Sequence, residues 1–596
     1  MAYKNYVLIC GGTACLSAKG DALKSAFINE IEKNGLASDV QVVQTGCFGF
    51  CEKGPIVKIL PADNFYCHVT PEDVADIVAE DLIKGRVVDR IIYKDDGRSS
   101  AKREAQEIQF YQKQVRIVLR NCGLIDPEKI EEYIARDGYA ALEKVIFEMT
   151  PDDVIEELKK SGLRGRGGAG FPTWMKWNFS KQVESDQKYI VCNADEGDPG
   201  AYMDRSTIEG DPHSLIEAMT IAGYTVGASK GMIYIRAEYP LAIQRLETAM
   251  AQAREYGLLG DNILGSDFSF DLEVRLGAGA FVCGEETALL SSIEGKRGMP
   301  TPKPPFPAVC GLWKKPTVIN NVETWANIPI IILKGGSWFA SIGTEKSPGT
   351  KVFALTGKIK NSGLVEVPMG TTLREIVYDI GGGIINDKKF KAVQTGGPSG
   401  GVITEENLDT PIDFDNLVAI GSMMGSGGMI VMDEDDCIVD VAKFYQEFCV
   451  EESCGKCAPC RIGTRKLYDI LTKISKGKGQ LEDLDRLKEI GEAMKKAALC
   501  GLGQTAPNPI LSSMKFFREE YLDHINNRSC PAGKCKDLVR YFILEDKCIG
   551  CTLCSRKCPA NSITGELKKL HVINQDTCVK CGACYEACKK GAIVKR

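Results

Sequence analysis

The chain has 596 residues, of which 44% are hydrophobic and 26% charged, and its 74 basic and 80 acidic residues leave a formal net charge of -6. This near balance excludes the basic field of a nucleic-acid-binding or membrane-surface protein, so we expect no nucleic acid and no membrane as partners. No apolar run has the length needed to cross a bilayer, and the first residues lack the order of a signal peptide, which predicts a cytoplasmic protein.

The length predicts about four domains, and the 25 cysteines indicate their chemistry. In a short secreted chain, many cysteines would predict disulfides. Here most of them stand in the spacings of metal ligands. We therefore expect a reducing, oxygen-poor compartment.

Residues 1–93 alternate between strand and helix patterns, which predicts a small thioredoxin-like α/β domain. One cysteine pair follows the first predicted strand and a second pair follows the next, so two loops at one end of the sheet converge. A redox disulfide would need the spacing C-x-x-C, which neither pair has. The four thiols predict a [2Fe-2S] cluster held by Cys10, Cys15, Cys47 and Cys51. The charged residues 94–108 predict a linker.

Residues 109–342 predict a larger α/β domain with four polar loops at element boundaries. The first loop fits G-x-G-x-x-G, but a helix precedes it where a dinucleotide fingerprint needs a strand. Its glycines still permit a close approach to a phosphate or a flat ring. Helix capping or a plain surface loop would explain any one loop, whereas four together predict a ligand site at the end of a sheet. Their residues are Gly165, Arg166, Gly167, Gly170 and Lys176; Asn193, Asp195, Glu196 and Asp198; Glu285 and Glu286; and Asn320 and Asn321.

Residues 343–432 begin with a hairpin pattern and predict a β-grasp module of the soluble-ligand-binding kind. Residues 433–523 predict a helical domain. Three cysteines at two-residue intervals and one distant cysteine predict a [4Fe-4S] cluster there, with the ligands Cys454, Cys457, Cys460 and Cys500.

Residues 541–596 repeat one cysteine rhythm twice, as in a two-cluster ferredoxin, where the fourth ligand of each cluster comes from the other run. A pair of zinc ribbons is the alternative, but it has no use for a third cysteine in each run. One predicted [4Fe-4S] cluster has Cys548, Cys551, Cys554 and Cys588. The other has Cys578, Cys581, Cys584 and Cys558.

The junction 524–540 carries a histidine and two more cysteines just before this tail. We predict a structural zinc with His524, Cys530 and Cys535, and with Cys449 as the fourth ligand. The alternative is a hinge without metal.

Several of these segments resemble one known family. The loops GRGGAGFPT, CNADEGDPGAYMDR, CGEETALL, INNVET and ESCGKCAPCR resemble the flavin and NADH-binding subunit of respiratory complex I over residues 110–520. The first ninety or so residues look like the thioredoxin-like domain of that enzyme's small partner subunit. A chain that joins both to a ferredoxin tail is similar to the β (diaphorase) subunit of multimeric electron-bifurcating [FeFe]-hydrogenases and their NADP-reducing relatives.

The resemblance implies a site for FMN and NAD(H) or NADP(H), with one [2Fe-2S] and three [4Fe-4S] clusters. It implies as partners a catalytic [FeFe]-hydrogenase subunit, a small thioredoxin-like [2Fe-2S] subunit and ferredoxin. The implied FMN residues are Gly165, Arg166, Gly167, Lys176, Asn193, Asp195, Gly284, Glu285, Asn320 and Asn321. The implied nucleotide residues are Lys176, Phe179, Glu196 and Glu286.

Two other functions stay open at this point. The chain would also suit the diaphorase subunit of a formate dehydrogenase or transhydrogenase. The third possibility is a non-enzymatic electron carrier with a decayed flavin pocket. The presence of Lys176, Glu196 and Glu285 argues against it. The predicted fold class is α/β and multidomain, and the predicted activity is NAD(P)H:acceptor oxidoreduction.

Overall fold

The structure is a computed structural model that describes residues 3–94 and 108–595, so most of the predicted linker lies outside the described residues. The chain divides into two compact units, residues 1–388 with 393–431 and residues 389–392 with 432–596.

The first unit begins with a four-stranded sheet. Its strands are Asn5–Cys10, Val40–Thr45, Val57–Leu60 and Asn64–Tyr66. They lie in the order second, first, third, fourth, and only the first two are parallel. The helical segments of this domain are Thr13–Ser17, Gly20–Lys33, Cys51–Lys53, Pro71–Asp73, Val74–Ile77 and Val78–Ile83. The predicted alternation is present, and the fourth strand was not predicted.

A parallel four-stranded sheet forms the centre of the next domain. Its strands lie in the order Asp271–Gly277, Lys230–Arg236, Tyr189–Ala194 and Thr317–Asn321. Parallel pairing needs helical crossovers that cover the sheet, and the buried core here is accordingly rich in Ile, Leu and Val. The helical segments are Gln109–Gln112, Ile130–Ile134, Ala140–Glu148, Pro151–Ser161, Thr173–Gln182, Met203–Gly210, Pro212–Val226, Pro240–Glu255, Ile263–Gly265, Phe281–Gly284, Glu286–Ile293, Pro307–Cys310, Leu312–Lys314, Val322–Lys334 and Gly336–Ala340.

A five-stranded sheet follows, as the hairpin pattern predicts. Its order is Gly363–Pro368, Thr350–Gly357, Gly428–Asp433, Phe390–Thr395 and Val402–Ile403. The first two strands form the antiparallel hairpin, and the third pairs parallel with the second. Its helical segments are Glu375–Ile380, Ile385–Asp387, Gly397–Ser399, Glu405–Asn407 and Phe414–Ala419.

The second unit is helical and then becomes a small β and cysteine-rich domain. Its helical segments are Ile438–Glu452, Ala458–Ser475, Leu481–Ala497, Gly501–Thr505, Asn508–Phe516, Arg518–Leu522, Asp523–Asn527, Leu553–Lys557 and Ala583–Ala587. Two short antiparallel ladders complete the tail, Tyr541–Ile543 with Ile593–Lys595 and Ile563–Thr564 with Val572–Ile573. The first ladder joins the two ends of the tail, as the shared cluster ligands require.

Candidate functional site

The glycine-rich loop lies between the helix Pro151–Ser161 and the helix Thr173–Gln182. The backbone N–H of Gly165 donates to the carbonyl of Phe171 at 2.8 Å and closes the loop. At Gly168, φ is 115°, and a Cβ there would lie 3.1 Å from the backbone of Gly425. Only glycine fits this position, because a side chain would meet a second glycine-rich loop from the five-stranded module.

The side chain of Arg166 lies inside the protein. Its guanidinium is fully buried. It donates to the carbonyls of Arg164, Pro348 and Thr350 at 2.6–3.0 Å. These three carbonyls accept from three of the five N–H donors of the guanidinium, so the side chain anchors the glycine loop to the five-stranded module.

The other predicted loops meet at the carboxyl end of the parallel sheet. Asn193 and Asn321 are register partners on adjacent strands. The Asn193 amide donates to the carbonyl of Gly284 at 2.8 Å, which fixes the third loop against the second. Glu285 accepts from the N–H groups of Thr287 and Ala288 and begins the next helix. The structure therefore brings these loops together, as the sequence predicts.

Two acidic side chains on the loop after Asn193, the buried Glu196 and the half-buried Asp198, have raised pKa values. Burial raises the pKa of Glu196 to about 7, although its carboxylate accepts from the backbone N–H groups of Arg205 and Asp204. Burial likewise raises the pKa of Asp198 to about 6, while the hydroxyl of Ser426 donates to it. Near neutral pH these two carboxyls can therefore change charge.

A chain of alternating charges lines the opposite side of the site. The ammonium of Lys176 lies 3.6 Å from the carboxylate of Glu286 and donates to the carbonyl of Ile319 at 3.1 Å. Lys303 pairs with Glu286 at 2.6 Å and with Glu285 at 3.3 Å. Phe179, on the same helix as Lys176, is 42% exposed, so its ring face is open to a ligand.

Sequence reasoning missed Lys303, Lys351 and Ser426. Lys351 forms a fully buried ion pair with Glu323, and Glu323 lies at the start of the helix that follows Asn321. Nothing local distinguishes Lys351 or Ser426, because their partners are distant in sequence. The signal for Lys303 is the proline-rich stretch from Met299 to Pro307, whose rigidity can hold a lysine over the site.

The donor set fits FMN. Amides and carboxylates at the sheet end suit the polar atoms of a flavin and its ribityl chain, and a glycine loop with free backbone approach suits a phosphate. Lys176 supplies a positive charge at the edge of the same site. No group with another chemistry is needed to explain these residues.

The N-terminal cysteines come together as predicted. Cys10 contacts Cys15 and Cys47, and Cys47 contacts Cys51. Cys51 also lies against Tyr202, at the start of the helix Met203–Gly210. This helix follows the loop of Glu196, so the N-terminal cysteine set and the flavin-type loops are neighbours within the first unit.

The three predicted [4Fe-4S] sets also come together, all in the second unit. Cys460 lies near Cys457, Cys500 and Cys454. One tail cavity is lined by Cys548, Cys551, Cys554 and Cys588. Cys584 lies near Cys578 and Cys558, and Cys581, which precedes the helix Ala583–Ala587, lies near Tyr541 together with Cys584 and Cys578. The exchange of the fourth cysteine between the two runs is thus present in the structure.

The junction holds a compact group of four buried ligands, but Cys437 takes the place that we assigned to Cys449. Their ligand atoms lie within 4.8 Å of one another, and the residues are Cys437, His524, Cys530 and Cys535. Cys437 precedes the helix Ile438–Glu452, whereas Cys449 is twelve residues further along it, about 18 Å away at 1.5 Å per residue. The two cannot reach one ion, so Cys449 is corrected to a buried side chain of the helix core.

Comparisons with known proteins agree with this organisation. The Nuo51 FMN-binding domain family matches residues 158–330, and the iron–sulfur binding region of NADH-ubiquinone oxidoreductase-F matches 440–524. The SLBB domain family matches residues 352–403. The thioredoxin-like [2Fe-2S] ferredoxin family matches 2–81, and the 4Fe-4S dicluster domain family matches 540–589. The predicted fold class is confirmed.

Full-length relatives extend the likeness over most of the chain. The HndC subunit of the NADP-reducing hydrogenase of Solidesulfovibrio fructosivorans is 60% identical over 81% of this chain and 98% of its own length. The NuoF-type flavin subunit of an NADH-quinone oxidoreductase of Rhizobium meliloti is 48% identical over 70% of this chain and 99% of its own length. A crystal structure of NAD+-reducing [NiFe]-hydrogenase in the H2-reduced state has a TM-score of 0.62 at 28% identity, covering 88% of this chain and 85% of its own.

The fold and the site define a flavin and iron–sulfur oxidoreductase subunit. The chain belongs to the family that includes the HndC subunit of NADP-reducing hydrogenase and the NuoF flavin subunits of NADH-quinone oxidoreductases. Among the described residues, no helix combines the length and the apolar character that a membrane span requires.

Proposed function

We propose that the chain is the NAD(P)H-oxidising subunit of a cytoplasmic complex with a catalytic [FeFe]-hydrogenase subunit, a small thioredoxin-like [2Fe-2S] subunit and ferredoxin as its electron partner. The observation that carries this proposal is the presence of four separate cysteine quartets in one chain with a flavin-type site. The likeness to a hydrogenase subunit over nearly its whole length favours hydrogenase over formate dehydrogenase or transhydrogenase.

We assign one [2Fe-2S] cluster to the N-terminal quartet and three [4Fe-4S] clusters to the quartets of the second unit. Bound FMN would accept two electrons from a nicotinamide and release them one at a time, which clusters require. Gly165, Gly167, Asn193, Asp195 and Gly284 would hold it, together with Lys176, Glu285, Asn320 and Asn321.

The nucleotide would lie on the open side of this site. Phe179 offers an exposed ring face, and Lys176 offers a positive charge for a phosphate or an amide oxygen. Glu196 and Glu286 would accept hydrogen bonds from ribose or amide groups. Because both are acidic, the extra phosphate of NADP(H) would be repelled more at high pH, where Glu196 is charged.

The oxidation of NADH and NADPH with a viologen acceptor tests this assignment. Lys176→Met should lower kcat/KM by about tenfold or more, since a charge-assisted hydrogen bond contributes about 1.5–3 kcal/mol. Lys181→Met on the same helix is the matched control, because Lys181 pairs with the exposed Asp152 instead. Equal losses in both variants, or no oxidation of either nucleotide by the wild type, would contradict the proposal.

We also propose that the assembled complex couples ferredoxin to NAD(P) by electron bifurcation. The support is the family resemblance and the number of separate cysteine quartets. The test is the hydrogen-dependent reduction of NAD(P)+ by the complex, which should depend on ferredoxin. A full rate without ferredoxin would contradict bifurcation but leave the diaphorase assignment intact.

We propose zinc at the junction quartet. Cys437 Sγ lies 3.4 Å from His524 Nε2 and 3.8 Å from Cys535 Sγ. Tetrahedral zinc with bonds of about 2.0–2.3 Å separates its ligand atoms by about 3.5–3.8 Å, which these distances match. His524 Nδ1 lies 2.6 Å from the carbonyl of Glu520, and donation to that carbonyl leaves Nε2 for the metal.

Metal analysis of iron-loaded protein tests the zinc assignment. The wild type and Cys449→Ser should each hold one zinc ion per chain, and Cys437→Ser should lose it. Zinc that persists in Cys437→Ser but disappears in Cys449→Ser would restore the ligand set expected from the sequence. No zinc in any of them would leave the hinge without metal.

A further inference from the structure

We propose that the first unit carries a second ligand site, an anion-binding cavity beside the N-terminal cluster that takes a small phosphate-bearing molecule. The cavity has a volume of about 360 Å³. It is lined by residues 115–121, by residues 133–138 and by the end of the helix Val322–Lys334. None of its lining residues belongs to the flavin or nucleotide set, so it is a separate cavity.

The cavity is basic. Its lining has four cationic side chains, Arg116, Arg120, Arg136 and Lys334, and two acidic ones, Asp137 and Glu217.

Glu217 is already engaged, since the hydroxyl of Tyr133 and the N–H of Leu142 donate to its carboxylate. Burial also raises the pKa of Glu217, which favours its uncharged carboxylic acid over the carboxylate. Asp211 lies 3.9 Å from Arg120 and offsets part of its charge, but the four cationic groups still outnumber Asp137, Asp211 and Glu217, so the net field in the cavity is positive and would attract an anion.

The basic groups are positioned in advance by the protein. The guanidinium of Arg120 donates to the carbonyls of Ile117 and Ala326 at 2.9 and 3.1 Å. Arg136 Nε donates to Asn121 at 2.8 Å. Groups held in this way bind a ligand without a large loss of side-chain entropy.

Arg116 offers a donor that the protein does not use. Its Nε is buried and has no hydrogen-bond partner among the described residues. A buried unsatisfied donor costs free energy, and since the Nε atom itself has less than 1 Å² of accessible surface, a ligand recovers that cost only when the Arg116 side chain turns toward the cavity.

The chemistry favours a phosphate group. A guanidinium presents a planar fork that matches two phosphate oxygens, and three guanidinium groups line this cavity. Lys334 lies 4.6 Å from the ring centroid of Trp338, which places an ammonium and an aromatic face at one side of the cavity. The volume is within the range of sites for small ligands and below that expected for a large one.

The cavity is coupled to the N-terminal cysteine quartet through Arg116. A terminal nitrogen of Arg116 donates to the carbonyl of Phe48 at 3.2 Å, next to Cys47, so its positive charge lies beside the N-terminal quartet. An anion bound beside Arg116 would cancel part of that positive charge. Reduction adds an electron to the cluster, so the bound anion should lower the reduction potential of the [2Fe-2S] cluster.

Calorimetric titration of the full-length, cofactor-loaded protein with sodium pyrophosphate tests the site. We expect saturable binding at one site that Arg136→Gln and Lys334→Gln each weaken by about fivefold, the upper range for an exposed charge pair. Lys488→Gln, an exposed lysine of the second unit, removes the same charge elsewhere and should leave the affinity unchanged. A lack of saturable binding, or equal affinities in Arg136→Gln and Lys488→Gln, would overturn the site.

A redox titration of the [2Fe-2S] signal by electron paramagnetic resonance tests the coupling. Pyrophosphate should lower the midpoint potential in the wild type, and the double variant Arg136→Gln with Lys334→Gln should show a much smaller shift at the same concentration. An unchanged potential at saturating pyrophosphate would overturn the coupling. NADH oxidation with viologen, followed in the same samples, should be equal in all variants, so failure here is separable from failure of the diaphorase proposal.

Discussion

The N-terminal and C-terminal cluster-binding regions hold their cysteines at different depths. Cys10, Cys15 and Cys47 are buried, and the flavin domain packs against the N-terminal loops. In the tail, Cys551 and Cys581 are exposed. An exposed ligand brings its cluster close to the surface, where another protein can approach, whereas a buried one is confined to neighbours within the chain.

The two regions also differ in what surrounds the cysteines. Gly46 and Gly210 meet so closely that a Cβ on Gly46 would lie 2.3 Å from the Cα of Gly210. The tail instead shows exposed apolar side chains beside its ligands, among them Ile549 and Val579. The chain thus has one cysteine quartet built into the flavin unit and two quartets whose ligands reach the surface.

Removing the tail should have the largest effect on this comparison. A chain that ends at residue 540 should lose electron transfer to ferredoxin down to background, because the outward-facing quartets are gone. It should keep NAD(P)H oxidation with a viologen, which a small acceptor can reach without the tail. Full ferredoxin reduction by the shortened chain would mean that the N-terminal cluster, despite its depth, is the exit.

Filling the close contact between the N-terminal domain and the flavin domain should have the next largest effect. Gly46→Val should destabilise the first unit by about 1–3 kcal/mol, since backbone atoms on both sides cannot yield to the new side chain. Gly428→Ala is the control, because its Cβ would meet no atom within 4 Å. The melting temperature of the flavin unit reports the difference, and equal values for both variants would show that the contact is loose.

Weakening a hydrogen bond between the N-terminal domain and the flavin domain should have the smallest effect. The N–H of Thr13 donates to the buried carboxylate of Glu209 at 3.1 Å. Glu209→Gln should cost about 1 kcal/mol, since both carboxyl oxygens accept from Thr13 and the amide keeps only one acceptor oxygen.

The pH dependence of that variant has a defined sign. Burial raises the pKa of Glu209 above its usual 4.5, so the folded state binds the proton more tightly than the unfolded state. The contribution of the group to stability is present below the unfolded pKa and falls as pH rises through the folded one. The wild type should therefore lose part of its advantage over Glu209→Gln as pH rises above about 4.5. A melting difference that does not change with pH would contradict this assignment.

Local signals in the sequence predicted most of the site. The rest depends on contacts between residues that are far apart in the sequence. The cysteine quartets, the glycine loop and the loops of Asn193 and Asn321 follow from spacing and from the rule that parallel strands end at one edge. Cys437 could not be chosen over Cys449, because it reaches His524 across 87 residues. The anchoring of Arg166 likewise depends on backbone carbonyls of a different module.

Anaerobic titration of the purified, FMN-loaded chain with NADH and NADPH, followed by electron paramagnetic resonance, tests whether electrons from a nicotinamide nucleotide reach the clusters. We expect about 14 iron atoms per chain, from one [2Fe-2S] and three [4Fe-4S] clusters. We also expect that at least one of the two nucleotides produces reduced [2Fe-2S] and [4Fe-4S] signals. Full iron content with no cluster signal after either nucleotide would contradict this electron transfer.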